Sequence, residues 1–162
     1  MKENSITYKF IGIIHSPHKS DEGIPIQPIG AKGIKGEIEL FQEFQEGLKD
    51  LEGFSHIIVL YDFHKSKDFK LIVKPFLDNE THGVFATRAP KRPNSIGLSI
   101  LKLNKVVKNI LYVENVDILD ETPILDVKPY VSKFDSVEEE RNGWLEKRID
   151  KSNIKKSDKR FL

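Results

Sequence analysis

The chain has 162 residues, long enough for one domain with a real core. Its composition, 38% hydrophobic and 31% charged, reads as soluble and globular; no apolar run approaches a membrane span of ~20 residues, and MKENSITYKF lacks the basic-then-apolar order of a secretory signal. A net charge of +1 excludes a uniformly basic nucleic-acid binder, and the lack of cysteine excludes disulfides and thiolate catalysis, which makes a reducing cytoplasm the default.

The first chemistry-bearing pair in chain order is His15 and His18, an HxxH. Zinc needs more ligands than two, and no helical HExxH is present, so no metal site is expected. Next comes GIPIQPIGAKGIKG, Gly23 to Gly36. Its glycines have GxxGxxG spacing with no preceding strand, which rules against a dinucleotide fold. It reads as a turn-rich loop in which Gln27 is a polar ligand contact. Lys35, Glu37 and Glu39 alternate with Gly36, Ile38 and Leu40, the period of a half-buried strand. Phe41, Phe44, Leu48 and Leu51 then recur at helical spacing before Gly53, and predict a short helix packed on the sheet.

Ile57 to Phe63 is short, apolar and rich in β-formers, and reads as a strand buried on both faces. His56 and His64 flank it; such histidines are structural residues or, at a strand end, ligand contacts. The stretch GVFATRAPKRPNSIGLS, Gly83 to Ser99, combines Arg88, Lys91 and Arg92 with Pro90 and Pro93. A stiff cationic loop suits an anionic ligand, or is an ordinary solvated loop. Gly97 permits a close backbone approach. Leu101 and Leu103 alternate with Lys102 and Asn104, Ile110 to Leu119 gives another strand, and Ile124 to Val127 a short last one. DILDETPILDVKPY, Asp117 to Tyr130, crowds Asp117, Asp120 and Asp126 around Thr122 and Pro123, as ligand acceptors or as turn residues.

Ser136 and Glu139 have capping-box spacing, and predict a second helix carrying Trp144 and Leu145. The chain from Asp135 to Glu146 holds five acids; from Lys147 to Arg160 it holds seven bases. That end is a solvated tail or a basic segment that touches RNA phosphates. Short strands with few helices predict a mainly β fold, a single small β-barrel with one or two short helices. The barrel is expected over 1–135, and a C-terminal helix and basic tail over 136–162.

Taken in this order, GIPIQP, EGFSHIIVLYDFH, GVFATRAPKRPNSIGLS and DILDETPILDVKPY resemble the TrmO (TsaA-like) tRNA methyltransferase family. The resemblance covers roughly Phe10 to Phe134. The resemblance implies a β-barrel that binds S-adenosylmethionine, works as a homodimer, and methylates the exocyclic amine of threonylcarbamoyl-adenosine beside the anticodon of tRNA. Matched by motif, it implies cofactor contacts at Pro25, Ile26, Gln27, His64, Lys65, Arg88 and Leu98, and at Asp117, Ile118, Leu119, Asp120 and Thr122. This chain resembles the short, barrel-only members.

Within that implied reaction, Arg88 binds either the cofactor carboxylate or the threonyl carboxylate of the substrate. Arg92 and Asn94 organise the loop or touch RNA. Either His64 or Asp126 is the base, if one is needed. Lys65, Lys67, Lys70 and Lys74 suit tRNA phosphates, or are the lysines of a solvated edge. Two other functions remain open: a binding module without chemistry, and a methyltransferase for another RNA or small-molecule acceptor.

Overall fold

A computed structural model describes residues 4–161; the outermost ends of the two expected segments, residues 1–3 and Leu162, lie outside the described residues. Among the described residues eight strands form: β1 Gly12–His15, β2 Lys35–Leu40, β3 His56–Asp62, β4 Ile72–Val73, β5 His82–Gly83, β6 Ile96–Val107, β7 Ile110–Glu114 and β8 Thr122–Pro129. Six of them close into an antiparallel barrel in the order β1-β2-β7-β6-β3-β8. Closure leaves no strand of this sheet with an unpaired edge. The expected mainly β barrel is therefore the fold. The remaining β4 and β5 pair with each other within the long connection from β3 to β6.

The period of two places the core. Ile14, Ile38, Leu40, Ile57, Val59, Tyr61, Leu101, Leu103, Leu111, Val113 and Ile124 point inward from successive strands and are buried together. Their neighbours face out. β3 is thus not buried on both faces as its apolar run suggests: Ile57, Val59 and Tyr61 are inside, while Ile58 and Leu60 are half-buried on the outer face. A barrel wall has one interior, so an apolar outer residue needs a different partner from the core.

Two helices expected from spacing do not form. The segment after β2 is two 3-10 turns, Gln42–Leu48 and Leu51–Gly53. Asp50 lies between them in the left-handed region at φ 66°, which interrupts any continuous ladder. Leu48 still packs on the core, so the apolar spacing reports contact rather than α geometry. Among the described residues the one α-helical turn, α1, spans Ser132–Asp135. Asp135 accepts the Val131 N–H at 2.8 Å, and Ser136, expected to start a helix, follows the turn's end. Only 3-10 turns follow it among the described residues.

The tail is not free. Pro25 and Lys156 form an antiparallel bridge, and Ser157 N–H donates to Ile24 O at 2.7 Å. Ser152 is buried where the tail crosses Gly30. There a Cβ would lie 3.1 Å from Ser152 O, tighter than ordinary contact, so the glycine permits the crossing. A second anchor joins the tail to the β4–β5 region. The Asp78 carboxylate, nearly buried, accepts from His82 Nε2 at 2.9 Å and pairs with Arg148 at 3.2 Å. Trp144 stacks on the His82 ring at 4.4 Å and donates Nε1–H to Ala86 O. The His82 bond and the neighbouring N–H groups hold the Asp78 carboxyl below its usual range, although partial desolvation works against them.

Candidate active site

One cleft of about 360 Å³ opens at the rim where β3 ends and β6 begins. Its size falls within the range of small-ligand sites. The Ile24–Gln27 segment, the turn after β3, the Arg88–Arg92 loop, the turn before β8 and the tail all contribute walls.

The β6 register makes the floor. Gly97 lies opposite Tyr61, and Ser99 opposite Val59. A Cβ on Gly97 would overlap the Tyr61 ring, so this position is open only to glycine while that ring stays in place. The buried Tyr61 hydroxyl lies 3.2 Å from Ser99 Oγ, and Ser99 Oγ–H donates to Asp117 Oδ1 at 2.7 Å. A relay thus runs from the barrel interior to the cleft. Burial pushes the Asp117 carboxyl up to about 7, even though the Ser99 hydrogen bond, its own backbone N–H and the Arg88 charge favour ionisation. Burial, with Asp117 alongside, also pushes the Tyr61 phenol up, which keeps it protonated.

The turn that carries Asp117 is pinned from both sides. Val116 and Ile118 are buried in the core. Asp120 accepts the Ser16 N–H at 2.8 Å and binds Lys19, while Ser16 Oγ–H donates to Ile118 O at 2.7 Å. Desolvation raises the Asp120 pKa, but Lys19 and the Ser16 N–H outweigh it and hold the carboxyl below its ordinary value.

On the opposite wall, Arg88 Nη1 donates to Gln27 Oε1 at 2.7 Å. Arg92 instead turns inward on its own loop, and its Nη1 reaches Thr87 O at 3.0 Å and Ala89 O at 3.2 Å. Of the two roles open for it, Arg92 organises the loop. That order is what presents Arg88.

The structure brings Pro25, Ile26, Gln27, His64, Lys65, Arg88, Leu98, Asp117, Ile118, Leu119 and Thr122 to this one cleft. His64 Nδ1 lies 3.4 Å from Thr122 Oγ1. Two candidates stand elsewhere. Asp120 is consumed in pinning the turn and does not line the cleft. Asp126, an expected base, borders a separate groove beside Phe44 and Leu48 and pairs with Lys128. Simple alternation from Thr122 and Ile124 would point Asp126 inward. A bulge intervenes: Tyr61 pairs with Ile124 and Leu60 with Asp126, so Asp126 shares the outer face with Leu60. His15 and His18 also separate, the first to Glu39 Oε2 at 3.0 Å and the second to Val116 O at 2.8 Å. Among the described residues, no group of three or more His, Cys, Asp or Glu could hold a metal ion.

Sequence reasoning missed the relay and the tail wall. Tyr61, Phe63 and Phe76 line the cleft, as do Ser157, Asp158 and Phe161, and the buried Ser99 stands behind the wall on Asp117. Ser99 had a signal: extending the Leu101–Leu103 alternation back two residues puts a hydroxyl and then Gly97 on the inner face of an apolar barrel. The tail had none.

A mainly β barrel with a largely apolar cleft at its rim, walled by Arg88 and the half-buried Asp117, defines a small-ligand-binding barrel protein. The tRNA-methyltransferase O N-terminal domain matches residues 13–136, and the chain belongs to that family. A probable S-adenosyl-L-methionine-binding protein of Pyrococcus abyssi is 54% identical over 157 residues, covering 97% of this chain and 85% of that protein. The tRNA (adenine(37)-N6)-methyltransferase of Escherichia coli is 35% identical, over 83% of this chain but 61% of its own length. The crystal structure of TrmO from Pseudomonas aeruginosa superposes with a TM-score of 0.74 at 38% identity, covering 86% of this chain and 62% of that one. The chain therefore spans under two thirds of the E. coli enzyme and of the Pseudomonas structure. Among the described residues, no helix is long and apolar enough to cross a membrane.

Proposed function

We propose that this protein is an S-adenosylmethionine-dependent methyltransferase that methylates the exocyclic amine of threonylcarbamoyl-adenosine beside the anticodon of tRNA, as a cytoplasmic homodimer. The observation that carries the reading is a largely apolar cleft with Arg88, held by Gln27, on one wall and the Asp117 carboxyl, raised by burial, on another. Such a lining fits a ligand with an aromatic base and a cationic centre, and leaves Arg88 at its wall for a carboxylate. Pro25, Ile26, Gln27, His64, Lys65, Leu98, Thr122 and the Asp117–Leu119 turn would hold the cofactor. When bound, it supplies an electrophilic methyl group on a sulfonium. The protein's task is then to hold the acceptor amine in line and exclude water.

Arg88 receives the threonyl carboxylate of the substrate, because its planar fork matches a carboxylate and it stands exposed at the cleft wall. Arg88→Ala is expected to lower discrimination between modified and unmodified tRNA by roughly 10- to 100-fold, the worth of a charge-assisted hydrogen bond. Competition kinetics with the two tRNA pools measure it; unchanged discrimination with weakened cofactor affinity would move Arg88 to the cofactor.

Lys65, Lys67, Lys70 and Lys74 are all exposed on the connection that leaves β3 at the cleft, and supply a local basic patch for tRNA phosphates. Exposed Ile96, Leu98 and Ile100 form an apolar stripe on β6, beside Ile58 and Leu60 of β3, and support the dimer. Ile100→Asp is expected to leave the barrel folded and shift the protein to monomer in sedimentation equilibrium. A wild-type monomer at micromolar concentration would remove the dimer.

The deciding assay is transfer of labelled methyl from S-adenosylmethionine to tRNA with and without the threonylcarbamoyl group, with the product mapped by nuclease digestion and mass spectrometry. Methyl on the modified adenosine alone is the expected result. Binding without transfer to either pool would leave a binding module.

A further inference from the structure

We propose that Asp117 is the proton acceptor of the methyl transfer, with Ser99 as its positioning residue. The inference rests on the methyltransferase reading above. Among the described residues three carboxylates line the cleft, Asp21, Asp117 and Asp158, and Asp117 is the one whose side chain a buried hydroxyl orients. Asp120 is committed to Ser16 and Lys19, Asp126 faces another groove, and Asp158 is held by the Arg160 guanidinium at 2.7 and 2.8 Å. Asp117 lines the cleft on a turn fixed by two buried neighbours, and its Oδ1 is oriented by the Ser99 hydroxyl.

The groups around it favour that role. Tyr61 from β3 stays protonated and feeds the relay through Ser99 of β6. Arg88 contributes positive charge from the facing loop. His64, Lys65, Arg92, Asp21 and Asp158 are the other titratable groups of the cleft. Burial leaves the Asp117 carboxylate basic enough to accept a proton near neutrality, where a catalytic base is most effective.

The step balances. A bond forms between the acceptor nitrogen and the methyl carbon. The methyl–sulfur bond breaks with its electron pair passing to sulfur. The nitrogen–hydrogen bond breaks with its pair retained on nitrogen, and the proton passes to Asp117. A sulfonium and a carboxylate become a neutral thioether and a carboxylic acid, so no net charge is left in the apolar cleft.

The test is the single-turnover rate of methyl transfer to threonylcarbamoyl-modified tRNA from pH 5 to 9, for wild type, Asp117→Asn, Ser99→Ala and His64→Ala. Wild type is expected to rise to a plateau with an inflection near 7, the value to which burial lifts the carboxyl. Asp117→Asn is expected to lose roughly 100-fold or more at the plateau, together with the inflection. Ser99→Ala is expected to lower the plateau less than Asp117→Asn does and to move the inflection to higher pH, because the hydrogen bond that orients the carboxylate and favours its ionised form is gone. In parallel, carbon-13 NMR of labelled aspartate follows the Asp117 carboxyl in the protein alone, where the same upward displacement in Ser99→Ala is expected. An inflection that persists in Asp117→Asn, vanishes in His64→Ala, or stays put in Ser99→Ala overturns the proposal while the function stands. No transfer by wild type overturns both.

Discussion

Replacing Gly97 with valine is expected to lower the melting temperature by about 10 °C and to abolish ligand binding in the cleft. A side chain at this position would occupy the space of the Tyr61 ring, its partner across β6 and β3. Tyr61 cannot yield cheaply. Its ring is buried, packs edge-on against Phe63 at 5.3 Å, and places its hydroxyl on Ser99. Forcing it aside overpacks the wall and breaks the relay, at a cost of roughly 3 kcal/mol or more. For a domain of this size each kcal/mol moves the midpoint by about 2–4 °C. A double-mutant cycle isolates the cause: Tyr61→Leu combined with Gly97→Ala should cost less than the two single changes together. Additive costs would show that Gly97 matters for another reason.

Asp117→Asn is expected to raise the melting temperature at pH 8 and to change it little at pH 4. The folded carboxyl is held up at about 7, above its ordinary value of 3.8. Between those pH values the folded protein binds a proton that the unfolded chain has released. Wild-type stability from this group therefore falls as pH rises from about 4 to 7, and levels off above. Asparagine keeps the shape and can still accept from Ser99, but has no charge to bury. Its advantage should open across that window and reach up to about 4 kcal/mol, at 1.36 kcal/mol per pKa unit, less where solvent reaches the half-buried side chain. Thermal melts at pH 4, 6 and 8 measure it. A stability difference independent of pH would mean that Asp117 is solvated like an ordinary surface carboxylate. A variant that is more stable yet slower is what a site keeping a desolvated base should produce.

The motif loops were readable because their chemistry is local. Gln27, His64, Arg88 and Asp117 stood out as polar or charged residues among prolines, glycines and apolar neighbours, and all reach one cleft. Asp126 stood out in the same way and misled. Its direction depends on a bulge one residue away, and nothing in PILDV announces which residue of β8 will be skipped. The helix expected after β2 failed for a related reason. Spacing reports which residues touch the core, and two 3-10 turns meet that demand as well as one α-helix.

Period and composition, which are properties of neighbouring residues, made legible the alternation of β2 and of Leu101–Asn104 in β6 and the loops that carry ligand chemistry, whereas the closed barrel set which face of the apolar β3 run lies inside. Only the tertiary structure decided the barrel order, the Tyr61–Ser99–Asp117 relay and the tail wall. Ser99 and Asp117 are separated by a whole hairpin, and Phe161 reaches the cleft because the tail is tied to Ile24 and Pro25, to Pro75 and Phe76, and to Asp78 and His82. A desolvated carboxylate needs partners from distant strands, and its basicity does not exist until the barrel closes around it.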